Sequence, residues 1–561
     1  MYTWCIDFEY SSKPGGLPHP WCVVGRCVET EEVIRVWLRG KGADCPFPRP
    51  YRLVAHYAMA ELACYKVLGW TMPEVVIDTL AEARTVRGQR PIGGWGLLSC
   101  CHWAGLKTMS SEHKDGMREL AMGDHVPAEK QEDLIDYCQA DVEALAGLWR
   151  FLRPHVDLPM AELRGRYLVA LTSVETRGIP VDVGLVDRLM DGWNEVKSTV
   201  RAAAVETYPG VLRDDGSFAS AGWGDWCRAN QIHWPELASG SLALDEETFK
   251  KMADRHPEVR VMSFTRKMLG QAKPFQWPLG PDGRLRCMLS PFGSDTGRNQ
   301  PSTSKFIFGA PSWMRRAISA PRGSVLAYVD FSSQEFALAA ALSGDPAMIE
   351  DYACGDPYIG LAVRANAVPA GATKGTHAKE RTAFKVTTLA VGYGMGPSSL
   401  AKQLGLSLSE AQRLILLHKR AYPRFWDWRQ NAIDEVVTGG TISTKFGWRR
   451  SHRGVDDRPT SIGNFLTQAG GGETLRLSVI ALEEAGFRVV APVHDAVLVE
   501  LSESDAIAEL AEVRRIMEQA GETVTEGLTI RTDAETVPSG GHFEDSRGAE
   551  MWKLLKGIIK A

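Results

Sequence analysis

The spacing of apolar and polar residues changes along this chain, and each change marks an element. Trp4-Cys5-Ile6-Asp7-Phe8-Glu9-Tyr10 alternates, which predicts a strand with Asp7 and Glu9 on the same side. Leu53-Val54-Ala55-His56 predicts a second short strand, followed by helix-like sequence that carries Glu61. Leu134 to Asp141 reads as helix and sets Tyr137 and Asp141 one turn apart. From Arg164, the positions Tyr167, Leu168, Leu171 and Val174 keep helical spacing up to Arg177-Gly178-Ile179-Pro180. Residues 185–275 are interrupted by Gly216, Gly222, Gly224 and Gly240. Within them, 245–270 is helical and basic, with Lys250, Lys251, Arg260, Arg266 and Lys267. Val325 to Val329 predicts a buried strand that runs into Asp330, and helical spacing resumes a few residues later. Val489 to Leu501 reads as a hairpin whose tight polar turn holds Asp495.

The chemistry suggested by these patterns begins with Asp330. An acid at the end of a buried strand is badly placed for stability unless it is paired. A helix cap is the ordinary alternative, since Asp is a favoured N-cap. Asp495 is a second acid of the same kind, and two strand-end carboxylates suggest a divalent-metal site for phosphoryl transfer. Between them, Arg381, Lys385, Leu389 and Tyr393 recur every four residues before Gly394. On a helix that spacing draws two cations, an apolar platform and an aromatic along one face, with Gly394 as its stop. The cations suit a triphosphate, and the Leu and Tyr suit a sugar and base beside it.

Composition narrows the class. A length of 561 residues exceeds one hydrophobic core and predicts two to four domains. The formal net charge of −5 does not advertise nucleic-acid binding, yet basic residues crowd one section: Arg413, Lys419, Arg420, Arg424, Arg429, Lys445, Arg449, Arg450 and Arg453. On charge alone such a run reads equally as a nucleic-acid-binding cluster or as a solvated face. The eleven cysteines form no metal-binding pattern, and their odd number without a secretory leader predicts reduced thiols in a cytoplasm. No apolar run reaches bilayer length, so no membrane partner is expected.

These residues carry a resemblance to family A DNA polymerases, the class of bacterial DNA polymerase I, and most of all to its compact phage-type members. Asp330-Phe331-Ser332-Ser333-Gln334-Glu335 resembles motif A, Arg381 to Gly394 motif B, and Val493-His494-Asp495 motif C. The resemblance implies that Asp330, Asp495 and the Phe331 backbone hold metal. It makes Arg381, Lys385, Leu389, Tyr393, Glu335, Gln334 and Tyr358 the deoxynucleotide pocket, with Lys385 also catalytic and Glu335 a steric gate against a ribose 2′-hydroxyl. Thr296-Gly297-Arg298-Asn299 resembles the family's primer-contacting segment, and Asn464 to Gln468 its minor-groove helix. Arg298, Asn299, Asn464, Gln468 and His494 are thereby implied to bind DNA. The chain departs from the family at Ala496, where a third acid is usual, at Leu389, where an aromatic is common, and at Tyr358, in a histidine's place.

The N-terminal acids suit a site where two Mg²⁺ ions activate water, although two acids on a strand are usually the wet side of an edge. Asp7, Glu9, Glu61, Tyr137 and Asp141 resemble the family's proofreading 3′–5′ exonuclease set, with Tyr57, Ala60 and Glu61 departing from its middle motif. The implied fold is therefore an α/β, ribonuclease H-like exonuclease domain over 1–155, then an α+β polymerase domain of right-hand architecture over 160–561. Within the latter the thumb would cover about 185–280, the palm about 281–350 and 455–561, and the fingers about 351–454. The expected activity is template-directed DNA synthesis with proofreading in phage DNA replication, using two Mg²⁺ per site with Mn²⁺ as an acceptable substitute. Expected partners are primer–template DNA, deoxynucleotides and accessory replication proteins, around a cytoplasmic monomer. The rival readings are an exonuclease, or a non-catalytic DNA-binding replication protein, with an inactive polymerase half.

Overall fold

The computed structural model describes residues 1–38, 43–90, 93–106, 111–213, 216–237, 239–270, 277–455, 457–549, 551–553 and 555. The chain forms two compact units. One comprises 1–178, 288–301 and 325–536; the other comprises 179–287, 302–324 and 537–561.

The first unit contains two larger sheets and a small pairing of Thr441–Ser443 with Arg449–Ser451. In the N-terminal sheet the strands lie in the order Val33–Trp37, His19–Cys27, Tyr2–Ser11, Tyr51–Ala55, Val75–Asp78. The first three are antiparallel, whereas Tyr51–Ala55 and Val75–Asp78 run parallel to Tyr2–Ser11. Parallel neighbours need a crossover, which the helix Met59–Leu68 supplies for the last pair. The apolar face of the helix Gln131–Leu152 (Leu134, Cys138, Val142, Leu145) packs with Cys5, Val24 and Val54 of this sheet in one core. The second sheet has the order Arg488–Val493, Ala496–Ser502, Ser324–Phe331, Thr532–Val537. The helix Pro459–Glu484 packs against the helix Ala506–Thr525 and this sheet.

Compactness does not divide the chain at 155–160, the boundary expected from sequence. The helix Leu158–Arg177 stays with the first unit, where its Gly165 presses on the N-terminal sheet; a Cβ there would lie 1.9 Å from the Val76 carbonyl oxygen. Beside it, Arg164 makes a bidentate pair with Glu82 at 2.6 and 2.7 Å, both side chains buried. Nor does the expected 281–350 stretch stay together, since 302–324 joins the second unit, as does 537–561.

The second unit opens with a two-residue pairing of Ile179–Pro180 with Arg284–Leu285. Its helical part has an aromatic core in which Trp223 stacks on Trp226 at 5.1 Å and meets Tyr208, Trp234 and Phe249. Arg266, one of the basic residues of 245–270, lies 4.1 Å from the Phe249 ring centre. The side chains of Lys250 and Lys267, and Leu554, lie outside the described residues. None of the eleven cysteines forms a disulfide, and no described helix is long and apolar enough to cross a membrane.

Candidate active sites

The strand Ser324–Phe331 carries Asp330 to the end of the second sheet, and the turn of the adjoining hairpin carries Asp495 to the same place. The Phe331 backbone N–H donates to the Asp495 carbonyl at 3.2 Å, which fixes the register of the two acids. That turn is tight enough to hold His494, which is exposed, at φ 56° in the left-handed region. Asp330 is not a helix cap. The residue before the helix Gln334–Ser343 is Ser333, itself at φ 54°. Burial, then the nearby Asp495 carboxylate, push the Asp330 carboxyl up to about 7, and its Oδ1 is buried without a hydrogen-bond partner. Burial also raises Asp495, against the lowering influence of Arg298 and His494. Asp533, on the neighbouring strand, adds to the repulsion at Asp330 and accepts from the Ser332 hydroxyl at 2.6 Å. Sequence reasoning missed Asp533, because an acid in Thr-Asp-Ala-Glu-Thr looks like any wet strand face.

Glu335, in the first turn of the next helix, sits in a hydrogen-bonded cluster. The Tyr393 hydroxyl donates to both its carboxylate oxygens at 2.6 and 2.8 Å, and the Gln468 side-chain amide donates to Glu335 at 2.6 Å. Arg298 holds the Gln468 carbonyl through Nε at 2.9 Å and approaches Glu335 at 4.0 Å. Glu335, Tyr393 and Gln468 line a cavity with Leu389 and Asn464. Motif B forms the helix Ala378–Gly392, and Gly394 beyond it adopts φ 79°, as a helix stop requires. Arg381 Nε is bound by Asp356, whose other oxygen caps the helix Pro357–Arg364. Both cations lie over the buried Tyr358 ring, Arg381 at 5.4 Å and Lys385 at 5.8 Å from its centre.

Two residues implied by the resemblance sit elsewhere. Gln334 is buried against Gly471, where a Cβ would stand 2.7 Å from its Oε1, so it faces a helix rather than the cavity. Asn299 uses its Oδ1 to accept from the Tyr167 hydroxyl at 2.9 Å, and its amide nitrogen is buried. The basic run is also less solvated than expected. Arg450 is buried with Asp457, Arg429 is buried beneath the Trp426 ring, and Lys445 pairs with Glu526.

At the N-terminal sheet, single ligand atoms of Asp7, Glu9 and Cys138 lie within 4.8 Å of one another. The Cys138 thiol, pushed up by burial, donates to the Asp7 carbonyl at 3.3 Å and lies 3.5 Å from its Oδ2. Glu61 is 3% exposed with Oε2 unpartnered; burial, then the Asp7 charge, raise its carboxyl well above the usual range. Tyr137 is raised by burial and then by the Asp141 carboxylate, to which it is hydrogen-bonded. Asp78 caps the helix Thr79–Val86 and also accepts from the Tyr57 and Ala58 N–H groups, which fixes Tyr57 at φ 69° just ahead of Glu61. An orphaned oxygen and clustered oxygen donors at both sites fit hard divalent cations such as Mg²⁺.

Residues 307–537 match the model of DNA polymerase family A. The thermostable DNA polymerase I of Thermus aquaticus is 26% identical over 323 residues, 51% of this chain and 38% of that protein. The DNA polymerase of Mycobacterium phage D29 is 29% identical over 216 residues, 37% of this chain and 34% of that protein. The chain thus spans well under half the length of these two relatives. Among solved structures, the POL domain of Pol1 from M. smegmatis, complexed with DNA primer-template and dNTP, superposes with a TM-score of 0.73. That match covers 98% of this chain and 96% of the other at 18% identity, which establishes a shared fold. Through residues 307–537, the chain is similar to DNA polymerase family A.

Proposed function

We propose that the chain extends a DNA primer along a template, adding deoxynucleotides to the primer 3′-hydroxyl, and that its N-terminal sheet domain is a 3′–5′ proofreading exonuclease. The observation that carries the reading is the pair of carboxylates Asp330 and Asp495 brought together at the strand end, Asp495 also feeling the charges of Arg298 and Glu335. In this reading Asp330, Asp495 and the Phe331 backbone would hold two Mg²⁺ ions, with Mn²⁺ as substitute. When bound, such ions neutralise charge on the transferring phosphoryl group and lower the pKa of the primer hydroxyl.

The protein's own residues do the positioning. Arg381 is held through Nε, so its two Nη groups remain to fork onto phosphate oxygens, with Lys385 one turn on as a compact second charge. Glu335 fills the space beside the sugar. Tyr393 and Gln468 fix its carboxylate there, so a ribose 2′-hydroxyl would meet a group that cannot swing away. Arg298, Asn464, Gln468 and His494 are assigned to the primer–template. Asp7, Glu9, Glu61 and Asp141 are assigned to the exonuclease metals, with Tyr137 orienting the scissile phosphate. The palm, fingers and thumb are assigned as the sequence implies, and similarity to a mycobacteriophage polymerase favours phage DNA replication.

The test is extension of a 5′-labelled primer with Mg²⁺ and all four deoxynucleotides. Elongation to the template end is expected, and its loss in Asp495→Asn. No elongation, where duplex binding is confirmed, refutes the reading.

A further inference from the structure

The loop Gly293–Arg298 is held from a direction that the chemistry does not require. It is closed on itself, since the Arg298 N–H donates to Ser294 Oγ at 2.9 Å. Its polymerase side is fixed by Trp448, whose indole donates to the Asp295 carbonyl at 2.9 Å, and by Arg476, which donates to the Gly297 carbonyl at 2.7 Å. Gly297, at φ 71°, lies so close to Trp448 that a Cβ would stand 2.9 Å from the ring.

The other support comes from the N-terminal sheet domain. Arg84, on the helix Thr79–Val86, is buried, yet it donates to the Gly293 carbonyl at 3.0 Å and reaches Asp295 at 3.7 Å. Its Nε donates to Gln89 at 3.1 Å, Gln89 returns a bond to the Arg84 carbonyl, and the guanidinium lies 5.1 Å from the Trp95 ring centre. Asp295 completes the arrangement by pairing its second oxygen with Arg453. A buried arginine is expensive, and one held at four points has little freedom left. Packed networks of this kind carry energetic coupling between sites. The route is continuous. Asp78 fixes the backbone ahead of Glu61 and caps the helix that bears Arg84; Arg84 grips the loop; the loop ends in Arg298, beside Gln468 and Glu335.

We propose that Arg84 and Asp295 form a brace by which the N-terminal sheet domain positions Arg298 for the primer strand. Arg84 is then a positioning residue for polymerisation, although it lies in the domain assigned to proofreading. The inference rests on the polymerase reading above.

The test is a double-mutant cycle on the full chain, measuring the Kd of a labelled primer–template without nucleotide. Arg84→Met and Asp295→Asn should each weaken binding about threefold to tenfold. In extension assays they should raise KM for primer–template while leaving KM for deoxynucleotide unchanged. Because they act through Arg298, Arg84→Met with Arg298→Ala should bind no more weakly than Arg298→Ala alone. Multiplying effects, or wild-type affinity in Arg84→Met, would overturn the brace. If Arg84→Met does not fold, the half-exposed Asp295→Asn carries the same cycle. A wild-type chain that binds duplex but never extends it overturns the polymerase reading and leaves the brace to be judged by the cycle. Failure to bind duplex overturns both.

Discussion

Replacing Asp330 with Asn should stabilise the metal-free protein above neutral pH while abolishing primer extension. Its carboxyl moves from 3.8 to about 7 on folding, through burial and then repulsion by Asp495. Counted whole, that shift would be worth about 4 kcal/mol against the charged form. Partial exposure and sharing of the repulsion with Asp495 bring the expected effect down to about 1–3 kcal/mol. The sign follows from linkage. Between about pH 4 and about pH 7 the folded state binds more protons than the unfolded state at this site, so wild-type stability falls as pH rises through that window. The Asp330→Asn variant carries no such penalty, so its advantage should grow from about pH 4, level off above about 7, and never reverse without metal. The assay is hydrogen exchange of the strand Ser324–Phe331 in a chelating buffer, wild type against Asp330→Asn, with urea unfolding alongside. Added Mg²⁺ should then protect the wild type and leave the variant unchanged. A difference independent of pH, or a variant less stable than wild type at about pH 8, would refute the picture of two acids held against their own repulsion.

Three further outcomes are expected. Glu335→Ala should admit ribonucleotides, with discrimination falling about tenfold or more in single-nucleotide incorporation; unchanged sugar selectivity would remove the steric role. Asp7→Ala should stop shortening of a labelled single strand while primer extension continues, and a variant that still shortens it would place the nuclease chemistry elsewhere. Glu82→Gln leaves Arg164 buried with a neutral partner and should cost about 3–5 kcal/mol in urea unfolding, as the loss of one member of a buried ion pair does.

The strand-end acids, the four-residue spacing of motif B and the Tyr137–Asp141 turn were legible in the sequence, because each is a local pattern: a strand running into a charge, or one face of one helix. What was not legible depends on partners distant in sequence. Arg381 reads as an open cation, but Asp356 holds its Nε from 25 residues away. Gln334 reads as a pocket residue, but it packs on Gly471. The basic run reads as a set of exposed cations, whether for nucleic acid or for solvent, but Arg450 is buried with Asp457. The close packing of the helix Leu158–Arg177 on the N-terminal sheet turns on Gly165, whose missing side chain admits the Val76 carbonyl. No periodicity announces such an approach.

The treatment of buried acids separates structural from chemical sites in this chain. Glu82 is answered by a bidentate arginine, Asp351 by Arg364 and the Tyr422 hydroxyl, and Asp345 by backbone N–H groups at a helix start. Even Glu473, which keeps one orphaned oxygen, has Thr444 and Arg476 on the other. Among the described residues, Glu61 and Asp330 also keep an orphaned oxygen, but no cation is hydrogen-bonded to either, and each has another acid close by. A fold that compensates its other buried carboxylates with local donors had the means to compensate these two. Leaving them uncompensated lowers stability, and the same missing charge favours a divalent cation that would restore it. The deficit falls on Asp330, at a strand end, and on Glu61, on the helix Met59–Leu68 near Asp7 of the N-terminal sheet, which ties the two proposed activities to one physical cause.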